Sequence, residues 1–131
     1  MNILITGCAG FIGFHLANNI KSKKVNIFGI DNLNNYYSIK IKKLILSILK
    51  KNKNFKFIYT DINNYKKLLK YFKNIKIDYI FHFAAQAGVR YTKQNPDSYI
   101  KSNINGFKNF SKVVLAKKPK KFIFASSSSV Y

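Results

Sequence analysis

Short apolar runs and stretches of helix-spaced apolar residues alternate from one end of the chain to the other, a pattern that predicts a parallel sheet joined by crossover helices. The runs near residues 2–6, 25–30, 55–59, 79–83 and 122–125 read as five strands, being brief, rich in Ile, Phe and Tyr, and bounded by polar residues. Between them the spacing predicts helices near 11–22, 38–51, 64–73 and 96–117. In the first, Ile12, Leu16 and Ile20 recur on one face; in the second, Ile41, Leu44, Ile45, Ile48 and Leu49 keep helical spacing. The fourth opens at Pro96 with Asn95 as its cap, stops before Pro119, and is expected to turn Ile100, Ile104, Phe107, Phe110 and Val114 inward. Right-handed crossovers then give an α/β fold, a doubly wound parallel sheet of order 3-2-1-4-5 with helices on both faces. No repeat, linker or second domain interrupts residues 1–131.

The connections carry the candidate chemistry. Gly7-Cys8-Ala9-Gly10-Phe11-Ile12-Gly13 follows the first strand and opens the first helix. Three glycines at this spacing allow a tight turn, close approach of a pyrophosphate, and seating of the helix on the sheet. The helix N-terminus then offers N–H groups and a positive dipole end to the anion. Asp31, 18 residues past Gly13 at the end of the second strand, suits ribose hydroxyls and would repel a 2′-phosphate. In a sheet of the predicted order the glycine loop, Asp31, Asp61-Ile62, Phe83-Ala84-Ala85 and the serines from Ser126 onward all gather at one edge, because each follows the carboxyl end of a strand. Asp61 is equally suited to end its strand or cap the next helix. Tyr36 and Tyr37 read either as surface aromatics or as a cover over the nucleotide. His82 reads as a packed strand residue, and His15 carries no assignable chemistry.

Charge changes this picture little. The 131 residues carry 24 Lys and Arg against 4 Asp and Glu, a net charge of +20, which ordinarily points to nucleic acid. Arg90 is the one arginine and the lysines are spread over every predicted helix, whereas base reading favours arginine. Specific nucleic-acid binding is therefore not expected; weak, salt-sensitive adhesion to polyanions is. No apolar run is long enough to cross a membrane and no signal-peptide pattern opens the chain, so a cytoplasmic location is expected. A single cysteine, Cys8, excludes an internal disulfide, and with only two histidines no His/Cys metal site is expected.

Taken together, Ile5 to Gly13, Asp31 to Tyr37, Asp61-Ile62, His82 to Tyr91, Ser102-Asn103 with Gly106, and Ser126 to Tyr131 resemble the extended short-chain dehydrogenase/reductase family of NAD-dependent epimerases and dehydratases. Residues 84–91 look most like its UDP-glucuronate 4-epimerase branch. The resemblance implies that Gly7, Gly10, Phe11, Ile12 and Gly13 hold the NAD pyrophosphate, Asp31 and Asn32 the adenosine ribose, and Asp61 and Ile62 the adenine. Phe83, Ala84 and Ala85 would line the nicotinamide side, with Asn103 supporting the site from the fourth helix. Ser127 takes the position of the catalytic hydroxyl, and Arg90 and Ser128 fall where the UDP-sugar is met. The implied chemistry is oxidation of the sugar at C4, rotation of the 4-keto sugar, and return of hydride to its other face.

The family's Tyr-x-x-x-Lys pair belongs further beyond the catalytic hydroxyl than the four residues that follow Ser127. The one such spacing present, Tyr36 with Lys40, follows the second strand, out of reach of a reacting proton at the other end. The chain thus reads as a C-terminally truncated, N-terminal piece of such an enzyme, inactive alone and lacking the sugar-binding half. A homodimer is implied for the intact enzyme rather than for the piece. Dehydratases of the family set an acidic pair after the catalytic hydroxyl; Ser128 and Ser129 stand there, which disfavours elimination. A basic, non-enzymatic nucleotide-binding module is the remaining alternative.

Overall fold

The computed structural model describes residues 1–88 and 94–127; Arg90 and Ser128 lie outside these. Nine elements follow in order: β1 (Asn2–Thr6), α1 (Phe11–Asn19), β2 (Asn26–Asp31), α2 (Ile39–Leu49), β3 (Phe55–Tyr59), α3 (Tyr65–Tyr71), β4 (Tyr79–His82), α4 over 96–117, and β5 (Lys121–Phe124). The strands form one sheet ordered β3-β2-β1-β4-β5, every neighbouring pair parallel. This is the doubly wound arrangement expected from the alternating pattern.

Because side chains alternate across a strand, β1 serves both faces. Leu4 joins Phe28, Ile58 and Ile80 beneath Leu68 and Phe72 of the α3 region and Phe110 and Val113 of α4. Ile3 and Ile5 join Ile27 and Phe55 beneath Ala17 of α1 and Leu46 and Leu49 of α2. Two separate cores thus clamp a sheet whose central strands are apolar on both sides, as a parallel sheet requires.

The helices present different faces from those their periodicity suggests. In α1 the buried positions are Gly13 and Ala17, while Ile12 is 56% exposed. A Cβ on Gly13 would lie 2.2 Å from the Gly7 carbonyl oxygen, so the small-residue side must face the loop, and that fixes the helix rotation. In α2 the buried stripe is Lys42, Leu46 and Leu49, leaving Ile41 and Leu44 exposed. In α4, Phe110 and Val113 are buried but Ile100 and Ile104 are exposed. The cause is a change of helical pitch: α4 runs as α-helix over Pro96–Tyr99, as π-helix over Ile100–Gly106, and again as α-helix over Phe107–Lys117. The wider π turns shift the phase of the first half against the second, so a single 3.6-residue period cannot describe the inward face.

Candidate functional site

At the carboxyl ends of the strands lies a cleft lined by Gly7 and Gly10 before α1, by Ile30, Asp31, Asn32, Asn34, Tyr36 and Tyr37 at and after β2, and by Lys42 of α2. Thr60, Asp61 and Ile62 after β3, Phe83, Ala84, Ala85 and Ala87 after β4, and Ser102 of α4 complete it. Four strand ends therefore converge on one groove, at the place where the strand order reverses.

The glycine loop has no room for a side chain at Gly7 or Gly13. Gly7 has φ +70°, and a Cβ there would lie 2.9 Å from the Ala84 nitrogen and the Phe83 carbonyl carbon. Its N–H donates to the Ile30 carbonyl at 2.8 Å, and Gly10 N–H turns back to the Gly7 carbonyl at 3.0 Å. Gly10 also caps α1 without any side-chain bond to the first-turn N–H groups. Phe11 and Ile12, the next two expected pyrophosphate residues, are exposed at this helix start, while Gly13 packs back against the loop. A loop this tight, with Cys8 and Ala9 buried and a helix N-terminus that no side chain caps, fits a pyrophosphate.

Asp31 is buried at the end of β2. Its Oδ2 accepts from Ala9 N at 3.1 Å and its Oδ1 from Leu33 N at 2.8 Å. Leu33 is held at φ +51°, a left-handed conformation that costs a leucine energy and is sustained here by that bond and by Asn34 N donating to Asn32 Oδ1. Lys42 Nζ stands 3.9 Å from Asp31 Oδ1, both side chains under a tenth exposed, and donates to Asn34 O and Oδ1. Burial lowers the Lys42 pKa and the Asp31 charge partly restores it. Sequence reading missed this lysine. The available signal was a lone cation at a position four before Leu46 and seven before Leu49, on the stripe that turned out to be buried.

Asp61 is tied into a polar cluster. Asn32 Nδ2 donates to its Oδ2 at 2.9 Å, and Asn63 donates to its Oδ1 through both N at 2.8 Å and Nδ2 at 2.9 Å. Burial alone would raise its pKa; those donors together with the nearby Lys101 charge outweigh it and hold the carboxyl below the ordinary range. Asn32 thus reaches Asp61 rather than standing free beside Asp31.

On the β4 side, Thr6 Oγ1 accepts from Phe83 N at 3.2 Å and Ala84 N at 3.1 Å. Its own proton then goes to His82 Nδ1 at 2.8 Å, which places the histidine's ring hydrogen on Nε2. His82 is 2% exposed and stacks on Phe110 and Phe124, and burial lowers its pKa to about 4, so the ring is a neutral acceptor. The packed role expected for it holds, with the addition that it anchors the loop lining the cleft. Asn103 does not line the cleft: its Oδ1 accepts from Gln86 N at 2.8 Å and its Nδ2 donates to Gln86 O at 2.9 Å. Ser127 is exposed beyond β5 and is not part of the cleft wall. Cys8 is buried, its thiol pKa raised first by burial and then by the Asp31 charge, which makes it inert. Among the described residues no group of His, Cys, Asp or Glu is placed to hold a metal ion, and no helix is long and apolar enough to cross a membrane.

This geometry has close counterparts. Residues 4–131 match the family described as GDP-mannose 4,6 dehydratase. UDP-glucuronate 4-epimerase 4 of Arabidopsis thaliana is 39% identical over 100% of this chain and 30% of its own length. Protein CapI of Staphylococcus aureus is 44% identical over 100% of this chain and 39% of its own. The solved structure of UDP-glucuronic acid 4-epimerase from Bacillus cereus, in complex with UDP-glucuronic acid and NAD, superposes with a TM-score of 0.87 at 36% identity, covering 100% of this chain and 41% of that one. The chain therefore spans about a third to two fifths of the length of the proteins it matches. With nearly every residue inside the family match and the strand order, glycine loop and cleft in place, the chain belongs to the GDP-mannose 4,6 dehydratase family of NAD-dependent epimerases and dehydratases.

Proposed function

We propose that the cleft binds NAD, and that the chain is the cofactor-binding portion of a nucleotide-sugar 4-epimerase that interconverts UDP-glucuronate and UDP-galacturonate. The observation that carries this reading is the pairing of a tight glycine loop, with no space for a Cβ at Gly7 or Gly13, with a buried Asp31 along one groove. The likeness to UDP-glucuronate 4-epimerases supports the substrate class.

In this reading Gly7, Gly10, Phe11, Ile12 and Gly13 hold the pyrophosphate, with the α1 N–H groups meeting its charge. Asp31 receives the ribose hydroxyls, Asn32 meets them from its place between Asp31 and Asp61, and Lys42 keeps the Asp31 carboxylate oriented. Asp61 and Ile62 border the adenine, over which Tyr36 and Tyr37 can close. Phe83, Ala84 and Ala85 wall the nicotinamide side, held by Thr6 and, through Gln86, by Asn103. Bound NAD supplies the hydride acceptor and donor for transient oxidation at the sugar C4. Ser127 would hydrogen-bond the reacting sugar oxygen, Ser128 the sugar beside it, and Arg90 an anionic group of the substrate.

Calorimetric titration with NAD at moderate salt, where lysine-driven adhesion is screened, tests the cofactor reading. Saturable binding is expected for the natural chain, at least about tenfold weaker for Asp31→Ala, and weaker for the 2′-phosphorylated cofactor. Absence of NAD binding, or equal affinity in Asp31→Ala, overturns it.

A further inference from the structure

The π segment of α4 touches the cleft at both ends. Toward the Asp61 end, Asn63 Nδ2 donates to the Lys101 carbonyl at 3.1 Å, and Asn109 Nδ2 donates to Asn63 Oδ1 at 3.1 Å. Gly106, the last residue of the segment, is buried so tightly on Ile62 that a Cβ would meet Ile62 Cδ1 at 2.7 Å. Toward the β4 end, Asn103 holds both backbone groups of Gln86, and Tyr99 Oη donates to the Gly88 carbonyl at 2.5 Å. Ser102, between Lys101 and Asn103, lines the groove itself. Seven residues of unusual pitch thus connect the loop after β3 to the loop after β4, two segments that the sheet separates by β2 and β1.

We propose that this π segment is a brace that sets the distance between the adenine end and the nicotinamide end of the cofactor groove, with Asn63 and Asn103 as its positioning residues. The wider π turn sets the phase of Lys101, Ser102 and Asn103 differently from that of a plain α-helix, and here the Lys101 carbonyl meets Asn63, Ser102 lines the groove and Asn103 meets Gln86. Each anchor is a side-chain amide bonded to backbone. Asn63 bonds Asp61 at the same time, so its position follows the carboxylate that borders the adenine. Loosening one end of the brace therefore loosens the other.

The inference rests on the NAD reading, and its test separates the two. Affinities for AMP, which reaches only the adenosine end, and for NAD are measured by calorimetry for the natural chain, Asn103→Ala, Asn63→Ala and the double variant, at moderate salt. Asn103 makes no contact at the adenosine end, so a local role predicts unchanged AMP affinity in Asn103→Ala. The brace predicts AMP binding weakened about threefold or more, with the two substitutions non-additive in the double variant. If AMP affinity in Asn103→Ala stays equal to that of the natural chain while NAD affinity falls, the brace is overturned and the NAD reading stands. If the natural chain binds neither ligand, the NAD reading is what fails. Should Asn103→Ala not fold, Asn103→Asp, which keeps the acceptor for Gln86 N and loses the donor to Gln86 O, is put to the same comparison.

Discussion

Gly13 shows how one residue fixes both a helix and a loop. With only 2.2 Å between a would-be Cβ and the Gly7 oxygen, Gly13→Ala must push α1 off the sheet. The expected cost is about 1–3 kcal/mol of stability, read from urea unfolding midpoints; a variant as stable as the natural chain would show that the loop yields freely. His82 sets a pH limit. Its pKa is lowered from 6.5 to about 4 by burial, so between those values the unfolded chain takes up a proton that the folded chain refuses. This contribution is complete above about pH 6.5 and is lost as pH falls toward 4, by roughly 3 kcal/mol. Asp61, held below its ordinary 3.8, adds further loss only at more acid pH. Unfolding midpoints between pH 4 and 7 should fall steadily in the natural chain and run flatter in His82→Phe; parallel slopes would contradict this assignment.

At the level of elements, α2 and α4 are where periodicity and structure part. The buried stripe of α2 includes Lys42 because Asp31, Asn34 and the strained turn at Leu33 together meet its charge. No local rule puts a lysine inside; the compensating groups come from the loop after β2. Lys42→Met keeps the volume but leaves Asp31 without its cation, and about 1–3 kcal/mol of stability should go with it. Thermal unfolding at neutral pH reads this, and an unchanged midpoint would mean that the backbone donors alone suffice. In α4 the cap at Asn95, the proline at its first turn and the stop near Pro119 were all legible. The π segment was not: a local 3.6-residue period carries no sign of it, and the groups it bonds, Asn63 and Gln86, follow other strands.

For the whole molecule, the net charge of +20 coexists with a groove into which two of the four acidic residues, Asp31 and Asp61, are set. A ligand of that groove should bind through local hydrogen bonds, whereas polyanions meet scattered surface lysines. NAD at about 100 times its dissociation constant is expected to stabilise the fold by about 2.7 kcal/mol, and to do so nearly as well at high salt. Polyanion binding should fade steeply over the same salt range; thermal shifts with each ligand along a salt series compare them, and equal salt sensitivity would assign both to charge alone.

The sequence by itself determined the number, type and order of the main elements, the strand order 3-2-1-4-5, the two covered sheet faces and the edge at which Gly7, Asp31, Asp61 and Ala84 meet. Element type is written in local period, and the strand order follows from the handedness of parallel crossovers, so both survive without knowledge of any long-range contact. Only the tertiary structure decided which side of each helix faces in, that Lys42 is buried, that Thr6 and His82, 76 residues apart, clasp the cleft wall, and that Asn63 and Asn103 tie α4 across it. These depend on side chains brought together from distant strands, where steric fit and the need to satisfy buried polar groups override the local pattern.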